Sequence, residues 1–174
     1  MTVVSQGGNP INIFYTDTNP HFAAQSLPDK HVCKMPVESV QMLVSACFAN
    51  GITPEVYTKA GTLHKGGYHN HPCTVWAGLT ATNFYWTWRW GIALCREYTK
   101  RYGKRHFAEG QLETIGQYCW HIRPGHLTPP AQAMPDEFKH ADPVLAYRAC
   151  IRGKVAAKPD SFVWRKGTPA PDWL

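Results

Sequence analysis

Residues 82–102 read TNFYWTWRWGIALCREYTKRY. Set on a helical wheel, the polar positions Arg89, Arg96 and Lys100 collapse to one narrow stripe, and nearly everything else is apolar or aromatic. Such a helix cannot lie on a surface; it has to be wrapped by other elements. A second helical pattern runs from Asp29 to Ala49, opened by Pro28 and Asp29 and closed by Asn50-Gly51. Pro36 lies inside it and removes one backbone donor, so a kink or a restart is expected there. Asp142 followed by Pro143 is an N-cap and first-turn pair for a third helix through about Arg152. A short helix is expected around residues 111–119, and INIFY (Ile11 to Tyr15) is a β-prone run. The prediction is a mainly α, single compact helical domain over residues 11–174, with a short extended segment at its start, long loops and a flexible tail over residues 1–10.

Composition removes several classes. At 44% hydrophobic and 13% aromatic residues, the chain has the apolar supply that disordered chains lack. No run approaches the ~20 apolar residues of a membrane helix, and MTVVSQGGNP lacks a basic region followed by an apolar one. No membrane association and a cytoplasmic location are therefore expected. The six cysteines form no CxxC pair and read as small buried hydrophobes.

The net charge of +6 is uneven: residues 1–50 hold two Lys/Arg against three Asp/Glu, and the other 124 hold sixteen against nine. RYGKRH (Arg101 to His106) and the segment from Arg148 to Lys166 carry much of the excess. A basic surface of this kind suits a polyanion, and Arg89, Arg96, Lys100, Arg101, Lys104 and Arg105 are candidate phosphate contacts.

Three groups of residues could carry chemistry. His31, Lys34, Glu38, Gln41 and Ser45 share one face of the Asp29–Ala49 helix, opposite Val32, Pro36, Val40, Leu43, Val44 and Cys47. Spacings of three and four bring such side chains together, where each shifts its neighbours' proton affinity. The row reads either as an ordinary solvated face with an i,i+4 pair or as a catalytic wall. HKGGYHNHPC gathers His64, His69, His71 and Cys73, yet their spacings match no common zinc pattern, and no metal or other cofactor is expected. His69, Asn70 and His71 then read as a loop that lines a site or touches phosphate. In NFYWTWRWG, Trp86 is a candidate for stacking on an extruded base, although helical spacing makes these aromatics core residues first.

LPDKHVCKMPVE, GGYHNHPCTVW with the later REYTKRYG, and MPDEFKHADPVLAYRACIRGK follow one another along residues 11–165. Together they resemble the pyrimidine-dimer DNA glycosylase (endonuclease V) family of phages and some bacteria. The resemblance implies a compact α-helical protein that binds double-stranded DNA and flips out a nucleotide opposite the lesion. An amine nucleophile then cleaves the glycosidic bond through a Schiff base at C1′, assisted by a glutamate. By motif position that glutamate is Glu38, with His31 and Lys34 as neighbours. The family's nucleophile is the α-amine exposed by removal of the initiator Met, which here is Thr2, about nine positions before Ile11. Lys34 and Lys30 are the alternative amines. If the chain is phage-encoded, its place of action would be the host cytoplasm. Two other readings stay open: a transferase or hydrolase that modifies nucleotides or bases in the same pocket, and a non-catalytic DNA-binding module.

Overall fold

The computed structural model describes residues 11–174. Six α-helices follow one another: α1 Pro20–Gln25, α2 Asp29–Ala49, α3 Pro72–Leu79, α4 Ala81–Tyr102, α5 Ala108–Gly116 and α6 Pro143–Ala157. Single 3₁₀ turns lie at Cys119–His121 and Asp136–Phe138. Among the described residues, β pairing is confined to one isolated bridge, Tyr57 with Leu63. The fold is mainly α, as the helical patterns predict.

α4 is the central helix, packed by α1, α2, α3 and α5. Its close approach to α2 depends on Gly91, where an added Cβ would stand 2.7 Å from the Ser39 hydroxyl oxygen and 3.0 Å from a Leu112 methyl. Thr80 caps its start by accepting from the Asn83 amide, and Gly103 at φ 69° ends it. α2 has the predicted bounds and continues through Pro36 without a restart. By length and hydropathy alone it could cross a membrane, but 67% of that stretch is buried inside the fold, as in a core helix.

Two short helices carry clear signals that hydrophobic periodicity passes over. Asn19-Pro20 and His71-Pro72 each place a capping side chain before a proline, at the starts of α1 and α3. α5 begins three residues before the expected helix because the His106 imidazole accepts from the Ala108 amide and nucleates it there. INIFY forms no strand. The Asn12 side-chain oxygen accepts from the Ile13 and Phe14 amides at 2.8 and 3.3 Å, folding the segment into a tight buried loop. Phe14 is held at φ 35°, a conformation that costs a residue with a Cβ about 1–3 kcal/mol. Asn12 then donates to the Ala133 carbonyl at 2.9 Å, joining the start of the described chain to residues more than a hundred positions later.

Candidate active site

The loop at residues 11–15, the first half of α2, the start of α3 and the segment 132–154 enclose a cavity of about 560 Å³. Asn12, Phe14, His31, Lys34, His71, Lys139 and Lys154 are on its walls. That volume lies in the range of small-molecule sites. Glu38 sits one side chain back, in contact with wall residues. The Lys34 ammonium is 2.9 Å from Glu38 Oε1, and the backbone N–H of Asn12 also donates to the carboxylate.

The predicted polar row of α2 is therefore not a solvated face. His31, Glu38 and Ser45 are buried, and Lys34 and Gln41 are half-buried. Burial pushes the Glu38 carboxyl above the ordinary glutamate value, against the pull of Lys34 and the Asn12 amide. Among the described residues, Glu38 Oε2 has no hydrogen-bond partner. A carboxylate that is buried, incompletely paired and next to an ammonium is a candidate for proton exchange. His31 lies between Phe14 and Phe162, with ring centroids 4.5 and 5.4 Å away. Burial, and then the charges of Lys154, Lys34 and Lys30, lower its pKa to about 3, so the imidazole is neutral at physiological pH.

The histidine loop divides. His71 accepts from the Cys73 amide, which caps α3 and fixes Nδ1 as the acceptor, and the ring lines the cavity. His64 accepts from the Gly66 amide in a turn. Cys73 points inward, toward Asn12 and the Tyr147 hydroxyl. His69 and Asn70 are exposed, and His69 borders a separate small cavity with Arg123. Among the described residues, no group of three or more His, Cys, Asp or Glu side chains is placed to hold a metal ion. Gln41 packs beneath Gly67 rather than in the cavity.

Two expectations need correction. Trp86 is only 5% exposed, donates to the Thr18 carbonyl and stacks with Trp90 in an aromatic core, so it cannot receive an extruded base. The Arg101 guanidinium has no exposed surface. It bonds Glu97 and Asp29 and the carbonyls of Leu27 and Gln25, and its burial keeps it from DNA phosphate. Arg105 is exposed but engaged by Glu109 and Glu113, which cancels its charge locally. Arg89, Arg96, Lys100 and Lys104 are exposed, away from the cavity walls. Lys30 is also outside the cavity, 5.3 Å from the Phe162 ring centroid. Thr2 lies outside the described residues.

Sequence reasoning missed Phe14, Lys139 and Lys154 on the cavity walls. Lys154 belongs to the basic segment after Arg148, but nothing in that run singles it out. Phe14 carries one usable signal, an asparagine two residues before it that can fold the backbone around its own side chain.

The family model for pyrimidine dimer DNA glycosylase matches residues 11–110, more than half of the chain. No curated protein and no solved structure matches it. The match covers the loop at residue 12, α2 with Glu38 and Lys34, and the start of α3, and stops before the wall at 132–154. Three of the four parts of the cavity thus come from matched residues, and the chain belongs to the pyrimidine dimer DNA glycosylase family.

Proposed function

We propose that the cavity is a base-excision site that cleaves the glycosidic bond of a damaged pyrimidine nucleotide in double-stranded DNA. The observation that carries this reading is the Lys34–Glu38 pair: an amine on the cavity wall, 2.9 Å from a buried carboxylate whose second oxygen has no partner among the described residues. Glu38 takes a proton from the ammonium, and the freed amine attacks C1′. The base departs with the electron pair of the glycosidic bond and takes up a proton. Opening of the sugar ring leaves an iminium between the amine and C1′. The attacking nitrogen supplies the proton that the base takes up, and Glu38 returns the proton it took to the ring oxygen as the sugar opens. Acid/base help of this kind gives ~10²–10⁴-fold, set against a few kcal/mol to unstack the nucleotide.

Lys34 is the amine best placed for this role, since Lys30 is not on the cavity wall. The Thr2 amine remains the family's alternative, and the loop at Asn12 brings the chain to Glu38 from that side. From the iminium, loss of a sugar proton would cut the strand, giving abasic-site lyase activity.

Borohydride trapping tests the reading, with duplexes carrying a pyrimidine dimer or an abasic site. The expected result is a covalent adduct that mass spectrometry maps to Lys34, or to Thr2 if the α-amine serves. Base release without an adduct would keep the glycosylase and remove the amine mechanism. Neither release nor adduct on either duplex would overturn the proposal.

A further inference from the structure

The cavity wall outside the family match is built as firmly as the wall inside it. Asn12 donates to the Ala133 carbonyl, and the Tyr147 hydroxyl to that of Ala131. Gln132 binds the backbone of His140 from both sides, donating at 2.7 Å and accepting at 3.0 Å. The Asp136–Phe138 turn is pressed onto α6, where a Cβ on Gly153 would stand 2.4 Å from the Phe138 ring. These contacts fix two lysines at the cavity, Lys139 beside the turn and Lys154 on α6.

Neither lysine has a buried acidic partner. Lys139 bonds Asp136 at 2.7 Å, but the Asp136 side chain is 93% exposed, and such a pair is readily exchanged for another anion. Among the described residues, Lys154 has no carboxylate within salt-bridge distance; its ammonium stands 6.0 and 5.8 Å from the centroids of Phe14 and Phe162. Its charge reaches the cavity, since it is the first charged group to disfavour protonation of His31. His31 adds a buried Nδ1 with no partner among the described residues. With Glu38 engaged by Lys34, the cavity keeps a surplus of positive charge from Lys139 and Lys154. A hydrophobic base gives no reason for that surplus; an anionic group does.

We infer that Lys139 and Lys154 form a phosphate clamp, which holds the phosphate attached to the nucleotide in the cavity. The inference rests on the base-excision reading for what the nucleotide is, but not for the clamp itself. The phosphate could belong to a DNA strand or to a free nucleotide. By holding the phosphate, the clamp fixes the sugar in the cavity that Lys34 also lines, which makes Lys139 and Lys154 positioning residues for the reaction.

The test measures duplex binding over a salt series for the full chain and for Lys139→Ala, Lys154→Ala and the double variant. Thymidine 5′-monophosphate serves as competitor, and melting temperatures serve as the folding control. Each single change should weaken binding about tenfold and lower the salt slope by about one. Lys154→Arg should restore most of the affinity. Competition by the mononucleotide that is lost in the double variant would show that the clamp accepts a free phosphate. Lost duplex affinity without such competition would restrict it to strand phosphate. A folded double variant with unchanged affinity and salt slope would overturn the inference. Absence of cleavage by the unaltered protein, with these binding changes intact, would instead remove the base-excision reading and leave the clamp.

Discussion

Glu38 on α2 and Glu97 on α4 are both buried, and each faces a cation one helical turn away at 2.9 Å. Around Glu97 the polar groups are knit into one buried network. Arg101 bonds Glu97, Asp29 and two carbonyls; the Thr168 hydroxyl donates to Glu97; and the Arg165 amide donates to Asp29. That network ties α4 to the start of α2 and to the C-terminal segment. Around Glu38 the pairing stops short. Its partner Lys34 is partly exposed, one carboxylate oxygen has no partner among the described residues, and a cavity lies alongside. Two i,i+4 pairs of similar geometry thus have different surroundings. The Glu97 network joins three segments of the chain, whereas the Glu38 pair stands beside a cavity, where the proposed chemistry would use it.

The sharpest way to break this contrast is to empty the Glu97 network. Arg101→Ala leaves Glu97 and Asp29 buried without their cation and should cost about 3–5 kcal/mol of stability. Denaturant unfolding checks the value. The salt dependence of DNA binding by the folded fraction should not change, because the guanidinium never reaches phosphate. A loss of binding with stability intact would return Arg101 to the DNA surface.

Arg101 also shows where sequence reading stops. In RYGKRH it looks like one more surface cation, since its main partner outside its own helix, Asp29, lies 72 positions away. The Lys34–Glu38 pair was legible because both residues lie on one helix, within one turn. The Trp86 misassignment has a similar origin: aromatic spacing on α4 marks burial, but gives no sign of which ring borders a cavity. Ring access is instead provided by Phe14, in a segment whose β-prone composition is overridden by the Asn12 side chain. Helix bounds set by local caps and glycines could be read directly. The second wall of the cavity could not, because it is joined to the first across 121 positions.

A middling effect separates the two sites by pH. His31 is neutral in the fold, with its pKa lowered from 6.5 to about 3. Its contribution to stability is therefore complete above pH 6.5 and is lost as pH falls from 6.5 toward 3, at about 1.4 kcal/mol per unit. Burial lowers His64, His71 and His106 in the same direction. His31→Gln should accordingly flatten the acid limb by about one proton without abolishing it, as read by denaturant unfolding between pH 7.5 and 4.5. An unchanged slope would mean that His31 is not kept neutral by the fold.

The smallest effect belongs to the surface. Arg105→Ala should leave the melting temperature unchanged and shift the salt slope of DNA binding by less than about one, because Glu109 and Glu113 already engage the guanidinium. A full unit of slope would show that DNA displaces those carboxylates.

The most direct measurement pairs Glu38→Gln with Glu97→Gln and records melting temperature and single-turnover cleavage of a pyrimidine-dimer duplex on the same samples. The folded-state pKa of Glu38 is raised, so its ionised form weakens the fold as pH rises through and above the ordinary 4.5. Glu38→Gln should therefore melt at or above the temperature of the unaltered protein at pH 7, while cleavage falls ~10²–10⁴-fold. Glu97→Gln should do the reverse, losing about 1–3 kcal/mol of stability and cleaving normally per folded molecule. A Glu38→Gln protein that melts early and cleaves at the unaltered rate would contradict the account, since Glu38 would then be the structural carboxylate.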